Sequence, residues 1–260
     1  MSGEAGALAD AGTQVTVTVL AAGSLRLPFT RAAQDFAQRH PGTRFTLVFG
    51  AAGLLRERVA AGEHADVFAS ANLAHPDALG RRGGFGPTVA FARNALCALV
   101  RPGLAVTRET LVRTLLDPSV TLGTSTPGAD PSGDYAFELF VRVERSGAGP
   151  AGCAAALAGK ARQLTGGPGA PKPPGGHNVY GMLVASGAAD VFLTYRTNAR
   201  IALAEQAGLQ VVDIDPHINV SARYGLVVRD GAPAAAQRFA DDLCTGPGQA
   251  VLRDAGFLPV

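Results

Sequence analysis

Residues 15–40 read VTVTVLAAGSLRLPFTRAAQDFAQRH. Val15–Ala22 alternates and is β-branched, which predicts a strand. Leu25, Phe29, Ala32, Ala33, Phe36 and Ala37 then recur at i, i+4, i+7, i+8, i+11 and i+12, the spacing of one helical face. Ser24 stands where an N-cap belongs. The unit of strand, tight turn and helix then repeats: Thr43–Phe49 reads as a strand, Gly50–Gly53 as a small-residue turn, Leu54–Ala61 as a helix and Ala65–Ser70 as a third strand. Strands separated by helical patterns mark parallel βαβ units. In such sheets ligands bind beyond the carboxyl ends of the strands, where turns expose helix N-termini.

Further along, Asn94–Val100, Val120–Gly123, Asp190–Thr194, Val211–Ile214 and Tyr224–Val228 read as strands. Thr107–Leu116, Tyr135–Val143, Val179–Ser186, Thr197–Ala207, Ala232–Cys244 and Gly246–Ala255 read as helices, with Asp130 or Ser132 placed to cap the one at Tyr135. Residues 165–178, TGGPGAPKPPGGHN, hold too much glycine and proline for a packed element and predict a mobile loop carrying Lys172 and His177.

Composition narrows the function. With 47% hydrophobic and 17% charged residues over 260 positions, the chain has the makings of a sizeable core. Its 23 Lys and Arg against 21 Asp and Glu leave a net charge of +2, too small for a nucleic-acid surface. Cys97, Cys153 and Cys244 lie far apart with no CxxC or Cys/His cluster, which argues against structural zinc; Cys153 and Cys244 could pair only if the fold joins them. The opening MSGEAGALADAGTQ has neither the basic nor the apolar region of a secretory leader, and no run is long enough to span a membrane. A cytoplasmic place with Met1 as the start, or an outer compartment after replacement of a leader, both fit.

No GxGxxG, GxxxxGK[ST], HExxH or GxSxG occurs. His40, His64, His75 and His217 are read as solvated loop residues, and His177 is set apart by its place beside Val179. What recurs is a small or hydroxyl residue where a strand gives way to a helix: Ser24, Ala51–Ala52 and Ser132. Each is an ordinary N-cap when taken alone, but three helix starts converging on one cleft would form an oxyanion cage.

Read in order, these segments resemble the periplasmic molybdate-binding proteins of ABC transporters. VTVTVLAAGSL is similar to that family's AA(A/G)SL turn, and FGAAGLLRERVAAGEHADVFASAN to its FxxSxxLxxQIxxGxPADVFxSAD. DPSGDYAFELF resembles (V/D)PxGxYAxExL, HNVYGMLVASGAADVFLTYRTNA resembles DVRxALxLVxxGxAxxGIVYxSDA, and GPGQAVLRDAGF resembles the closing GPxAxxxLxxxGF. The resemblance spans residues 15–257. It implies the α/β type II periplasmic-binding-protein fold, two α/β lobes with a cleft between them and a hinge of two crossovers near 91–94 and 215–222. Residues 1–14 would be a disordered N-terminus, 15–92 with 222–260 lobe I, and 93–221 lobe II.

By the same resemblance the ligand is molybdate or tungstate, held without cofactor or resident metal by Ser24, Ala52, Ser132, Val179 and Tyr195, all neutral donors. The partner is an ABC permease, and the working form a monomer. Ala52 stands where the family usually has serine and Ser132 where alanine is common, so one hydroxyl is lost and one returned. Asp130 and Thr194 fall where an archaeal branch carries aspartate and glutamate ligands. A cytoplasmic enzyme or ligand sensor on the same fold is the alternative, and Asp130, Asp134, Tyr195, Arg196 and His177 would be its titratable groups.

Overall fold

A computed structural model describes residues 14–171 and 177–260. The strands are β1 (Val15–Ala22), β2 (Thr43–Gly50), β3 (Val67–Ser70), β4 (Val89–Val100), β5 (Leu122–Ser125), β6 (Arg162–Thr165), β7 (Val191–Tyr195), β8 (Gln210–Asp213) and β9 (Ser221–Val228). The helices are α1 (Arg26–Arg39), α2 (Ala52–Ala60), α3 (Ala74–Arg82), α4 (Leu111–Leu116), α5 (Pro131–Arg145), α6 (Cys153–Lys160), α7 (Val179–Ala185), α8 (Arg196–Glu205), α9 (Ala234–Thr245) and α10 (Gly248–Asp254).

The strands follow the order β2-β1-β3-β9-β4-β7-β5-β6, with β8 also beside β4. β1 runs parallel to β2 and β3, as the βαβ pattern predicts. β9 departs from that pattern, pairing antiparallel with β3 and with the first part of β4. From Leu96 onward β4 changes partners, pairing antiparallel with β7 and, from Cys97, with β8 on its other edge. β5 lies parallel to β6 and β7. One strand therefore begins in one α/β lobe and ends in the other, and the chain returns between Asp213 and Ser221.

The apolar face read from the α1 spacing is the buried one: Phe29, Ala32, Ala33 and Phe36 all face the core. Phe29 and Phe36 meet Phe239 of α9 edge to face, with centroids 6.1 and 5.5 Å apart, which fastens the last part of the chain onto the first.

Several sequence expectations are corrected. Ser24 does not cap α1: it lies inside a short 3-10 turn, Gly23–Leu25, and its hydroxyl is engaged elsewhere. Asp130, not Ser132, caps α5. β4 begins at Val89, and α4 only at Leu111, because Thr107 and Thr110 hydrogen-bond each other in a preceding turn. α3, α6 and β6 went unread; α3 carries a proline and a glycine, and the alanine-rich α6 has little periodicity to show. His75 is not a solvated loop residue, since it is buried in α3 with its pKa pushed down to about 4 by that burial. Cys97, Cys153 and Cys244 are all free thiols.

The glycine- and proline-rich stretch is not loop throughout. Thr165 ends β6 and is buried, its carbonyl accepts the Thr126 N–H and hydroxyl, and Gly166 turns with φ of 80° hard against Asp130. Lys172, like the N-terminal residues 1–13, lies outside the described residues.

Candidate ligand-binding site

Where β1 ends, the 3-10 turn presents Ser24, whose Oγ is 2.9 Å from the hydroxyl of Tyr224 on β9. Asn94 of β4 lies beneath, its Nδ2 donating to Thr197 Oγ1 at 2.8 Å and to the Tyr224 hydroxyl at 3.5 Å. This chain of polar groups joins the starts of α1 and α8 through β4 and β9, close to where β4 changes lobes.

The Tyr224 ring lies 5.7 Å from that of Tyr195, and Tyr195 lies 6.4 Å from Tyr135, centroid to centroid. Tyr180, near the start of α7, has its phenol pushed up in pKa by burial and by nearby Asp130, against the lowering effect of the Ser125, Thr194 and Ser132 hydroxyls. The chain has only four tyrosines, and all four gather here. Burial pushes each phenol upward in pKa, Tyr135 to about 12 with help from Glu138 and Asp134, so all four stay neutral donors. Tyr195 is 2% exposed, and its hydroxyl has no hydrogen-bond partner among the described residues. A buried hydroxyl left in that state costs about 1–3 kcal/mol, a cost commonly tolerated where a ligand completes the bond.

On the other lobe, β5 ends at Ser125 and α5 starts at Pro131. Asp130 Oδ1 accepts the Ser132 N–H at 3.0 Å and lies 3.1 Å from Ser132 Oγ, which donates to Ser125 Oγ at 2.7 Å. Ser125 in turn is 2.8 Å from Thr165 Oγ1. Burial raises the Asp130 pKa against the lowering effect of the Ser132 N–H, and nearby Asp134 raises it further.

The two lobes touch at this point. Ala52 is the first residue of α2, and the next N–H, of Gly53, donates to the Ala129 carbonyl at 2.8 Å. The Tyr135 hydroxyl donates to the Ala71 carbonyl at 3.3 Å in the opposite direction.

Ser24, Ser132, Tyr195 and Asp130 thus fall in one cluster, with Ala52 beside its interlobe contact. Val179 opens α7 beside Tyr180, while Asn178 caps that helix by accepting the Gly181 N–H at 2.9 Å. Thr194 is buried and accepts the Asn198 amide at 3.2 Å. His177 does not join them: it is exposed and lies 3.5 Å from Glu205. Of the titratable groups named for an enzyme, Asp130, Asp134 and Tyr195 lie together, whereas Arg196 pairs with Asp213 and His177 with Glu205. Tyr224, Tyr180, Tyr135, Asn94, Thr197 and Gly53 were missed. The available signal was scarcity: a chain with four tyrosines and no tryptophan places two of them in strands, Tyr195 at the end of VFLTY and Tyr224 at the head of YGLVV.

Residues 17–258 match the family profile described as bacterial extracellular solute-binding protein. The chain belongs to that family. This solute-binding protein is 39% identical over 243 residues to an uncharacterised Pasteurella multocida protein, covering 93% of this chain and 98% of that one. Over 120 residues it is 30% identical to the Mycobacterium bovis molybdate-binding protein ModA, spanning 43% of this chain and 46% of that protein.

Among solved structures, the solute-binding protein superposes on the Azotobacter vinelandii periplasmic molybdate-binding protein with a TM-score of 0.74 at 18% identity, covering 94% of this chain and 99% of that one. The sulfate-binding protein SubI of Mycobacterium tuberculosis gives 0.77 at 17% identity, covering 95% and 87%. These likenesses establish the type II periplasmic-binding-protein fold, and the family binds solutes rather than transforming them. No described helix is long and apolar enough to cross a membrane.

Proposed function

We propose that this solute-binding protein captures a small tetrahedral oxyanion, molybdate or tungstate, between its lobes and delivers it from the periplasm to the permease of an ABC importer. The observation that carries the reading is the buried Tyr195 hydroxyl, unpartnered among the described residues and set near neutral donors at the starts of helices. An oxyanion in a dry cleft is stabilised by several fixed N–H and O–H dipoles without a counter-ion. Ser24, Ala52, Val179 and Tyr195 supply those dipoles, with Tyr224 behind Ser24, and Ser132 adds its own only on releasing Asp130 or Ser125, which hold its N–H and hydroxyl in this structure. The ligands named for its structural neighbours are all anions but differ: molybdate for one, sulfate for another and L-phospholactate for a third. We set the lobes at 15–92 with 222–260 and at 93–221, the change of β4 partners at Ala95–Leu96 lying three residues beyond the first of those boundaries.

Calorimetric titration with sodium molybdate, tungstate and sulfate tests the reading. A specific ligand at a hundredfold over its Kd adds about 2.7 kcal/mol of stability, visible in thermal melts. Failure of all three anions to bind refutes it. Tyr195→Phe and Ser24→Ala are each expected to weaken binding by about 1.5–3 kcal/mol, the value of a hydrogen bond to a charged partner. Tyr195→Phe carries a second signature: without ligand it melts above the parent chain, because the unsatisfied buried hydroxyl is gone. Equal affinity in both variants would remove these side chains from the site.

A further inference from the structure

The helix start that the oxyanion reading assigns to the ligand already has an acidic occupant. Asp130 Oδ1 takes the Ser132 N–H at 3.0 Å and lies 3.1 Å from Ser132 Oγ. Gly166 is packed so closely against it that a Cβ there would come within 2.5 Å of the Asp130 Cβ, which holds the carboxyl in place. The buried Tyr195 hydroxyl, unpartnered among the described residues, is the second polar group committed to this point.

The groups that face Asp130 come from every surrounding element. Ser132 and Asp134 lie on its own helix, Ser125 ends β5, Tyr180 belongs to α7, Tyr195 to β7 and Tyr224 to β9. Asp134 is acidic and the three phenols are neutral. Asp130 enters no ion pair among the described residues. An oxyanion drawn to the start of α5 therefore meets a carboxylate that no cation among the described residues offsets. Two acceptor-only groups of like charge at hydrogen-bond distance repel, whereas one proton between them turns the contact into a charge-assisted hydrogen bond.

We propose that Asp130 is a specificity-determining residue of this site, making it take its oxyanion together with one proton shared between the carboxyl group and the ligand. The inference rests on the oxyanion reading above. It divides ligands by chemistry. An anion that keeps a proton of its own at pH 8, such as hydrogen phosphate, brings the proton with it. Molybdate, tungstate and sulfate bring none, so the proton is the one Asp130 already holds or, where Asp130 of the free protein is ionised, one drawn from solvent. The upward push of burial on Asp130 favours the protonated form that this requires.

The experiment is titration of the full chain with sodium molybdate and with sodium phosphate at pH 8, each in two buffers of different ionisation enthalpy, together with the molybdate Kd from pH 5.5 to 8.5. Molybdate binding is expected to take up close to one proton and to weaken about tenfold per pH unit once Asp130 of the free protein is ionised. Phosphate, if it binds, takes up close to none. Asp130→Asn keeps an N-cap acceptor for Ser132, so it folds, and its molybdate affinity is expected to be flat with pH and free of proton uptake. Molybdate binding without proton uptake at a pH where the carbon-13 carboxyl resonance shows Asp130 of the free protein ionised, or an unchanged pH slope in Asp130→Asn, overturns the inference and leaves the oxyanion reading standing. Binding of no anion by either protein overturns both.

Discussion

Gly53→Ala is expected to bind its oxyanion about a hundredfold more weakly than the parent chain while melting no lower in the absence of ligand. Gly53 is the second residue of α2, and its N–H donates to the Ala129 carbonyl across the cleft. A Cβ on it would stand 2.4 Å from the Gly128 carbonyl oxygen and 2.6 Å from that of Ala129. Both obstacles are backbone atoms, so no rotamer change relieves them. The lobes would have to part, and overpacking of this kind costs about 1–3 kcal/mol or more. At the upper figure that is about a hundredfold in affinity, because the ligand must first bring the closed form back.

The same substitution should do no harm to the isolated lobe. Alanine is a better helix former than glycine by about 1 kcal/mol, so the open protein holds its melting temperature or gains. Calorimetry beside thermal melts reads the two effects separately. Unchanged affinity would mean that the Gly53–Ala129 contact is absent from the bound state.

That glycine illustrates which features could be read from the chain and which could not. The β1–α1 unit was legible because its periodicity is local, and Asp130 and Ser132 were legible as candidate caps by residue type, although the helix read from Tyr135 begins four residues earlier, at Pro131, which looked like loop among its neighbouring glycines and prolines. Gly53 appeared only as part of a small-residue turn, since what makes it special is a carbonyl some 75 residues away in the chain. Ser24 was read as a cap for the same reason. Local spacing favours that role, and the partner that claims its hydroxyl, Tyr224, is 200 residues distant. The strand that carries Tyr224 was also visible, but not its insertion, antiparallel, between β3 and β4. Period-2 patterns specify a strand and its buried faces, not its neighbours.

Asp66→Ala should show the opposite profile, a loss of about 3 kcal/mol in stability with oxyanion affinity unchanged. Asp66 stands just before β3, at the end of the strand remote from the ligand, with its side chain 2% exposed. One oxygen accepts the Thr18 N–H of β1 at 2.9 Å, and the other accepts from Arg229, just after β9, at 2.9 Å, with His64 at 3.2 Å. Its own N–H donates to the Thr18 carbonyl and its carbonyl accepts the Arg229 N–H, so a single residue ties β1, β3 and β9 together. Burial pushes its pKa up, but the Thr18, Arg229 and His64 contacts outweigh that and hold it below the ordinary carboxylate value. Removing one partner of a buried pair costs about 3–5 kcal/mol, and the low end applies because Arg229 is a third exposed and recovers some hydration. The sign of the pH dependence follows from the lowered pKa. The stabilisation is complete above the unfolded value near 3.9 and is lost as the pH falls through the lower folded value. Denaturant midpoints taken from pH 7 down to pH 3 should therefore show the gap between parent and variant narrowing at the acid end. A gap that stayed constant, or widened, would assign the loss to packing instead of to the carboxylate.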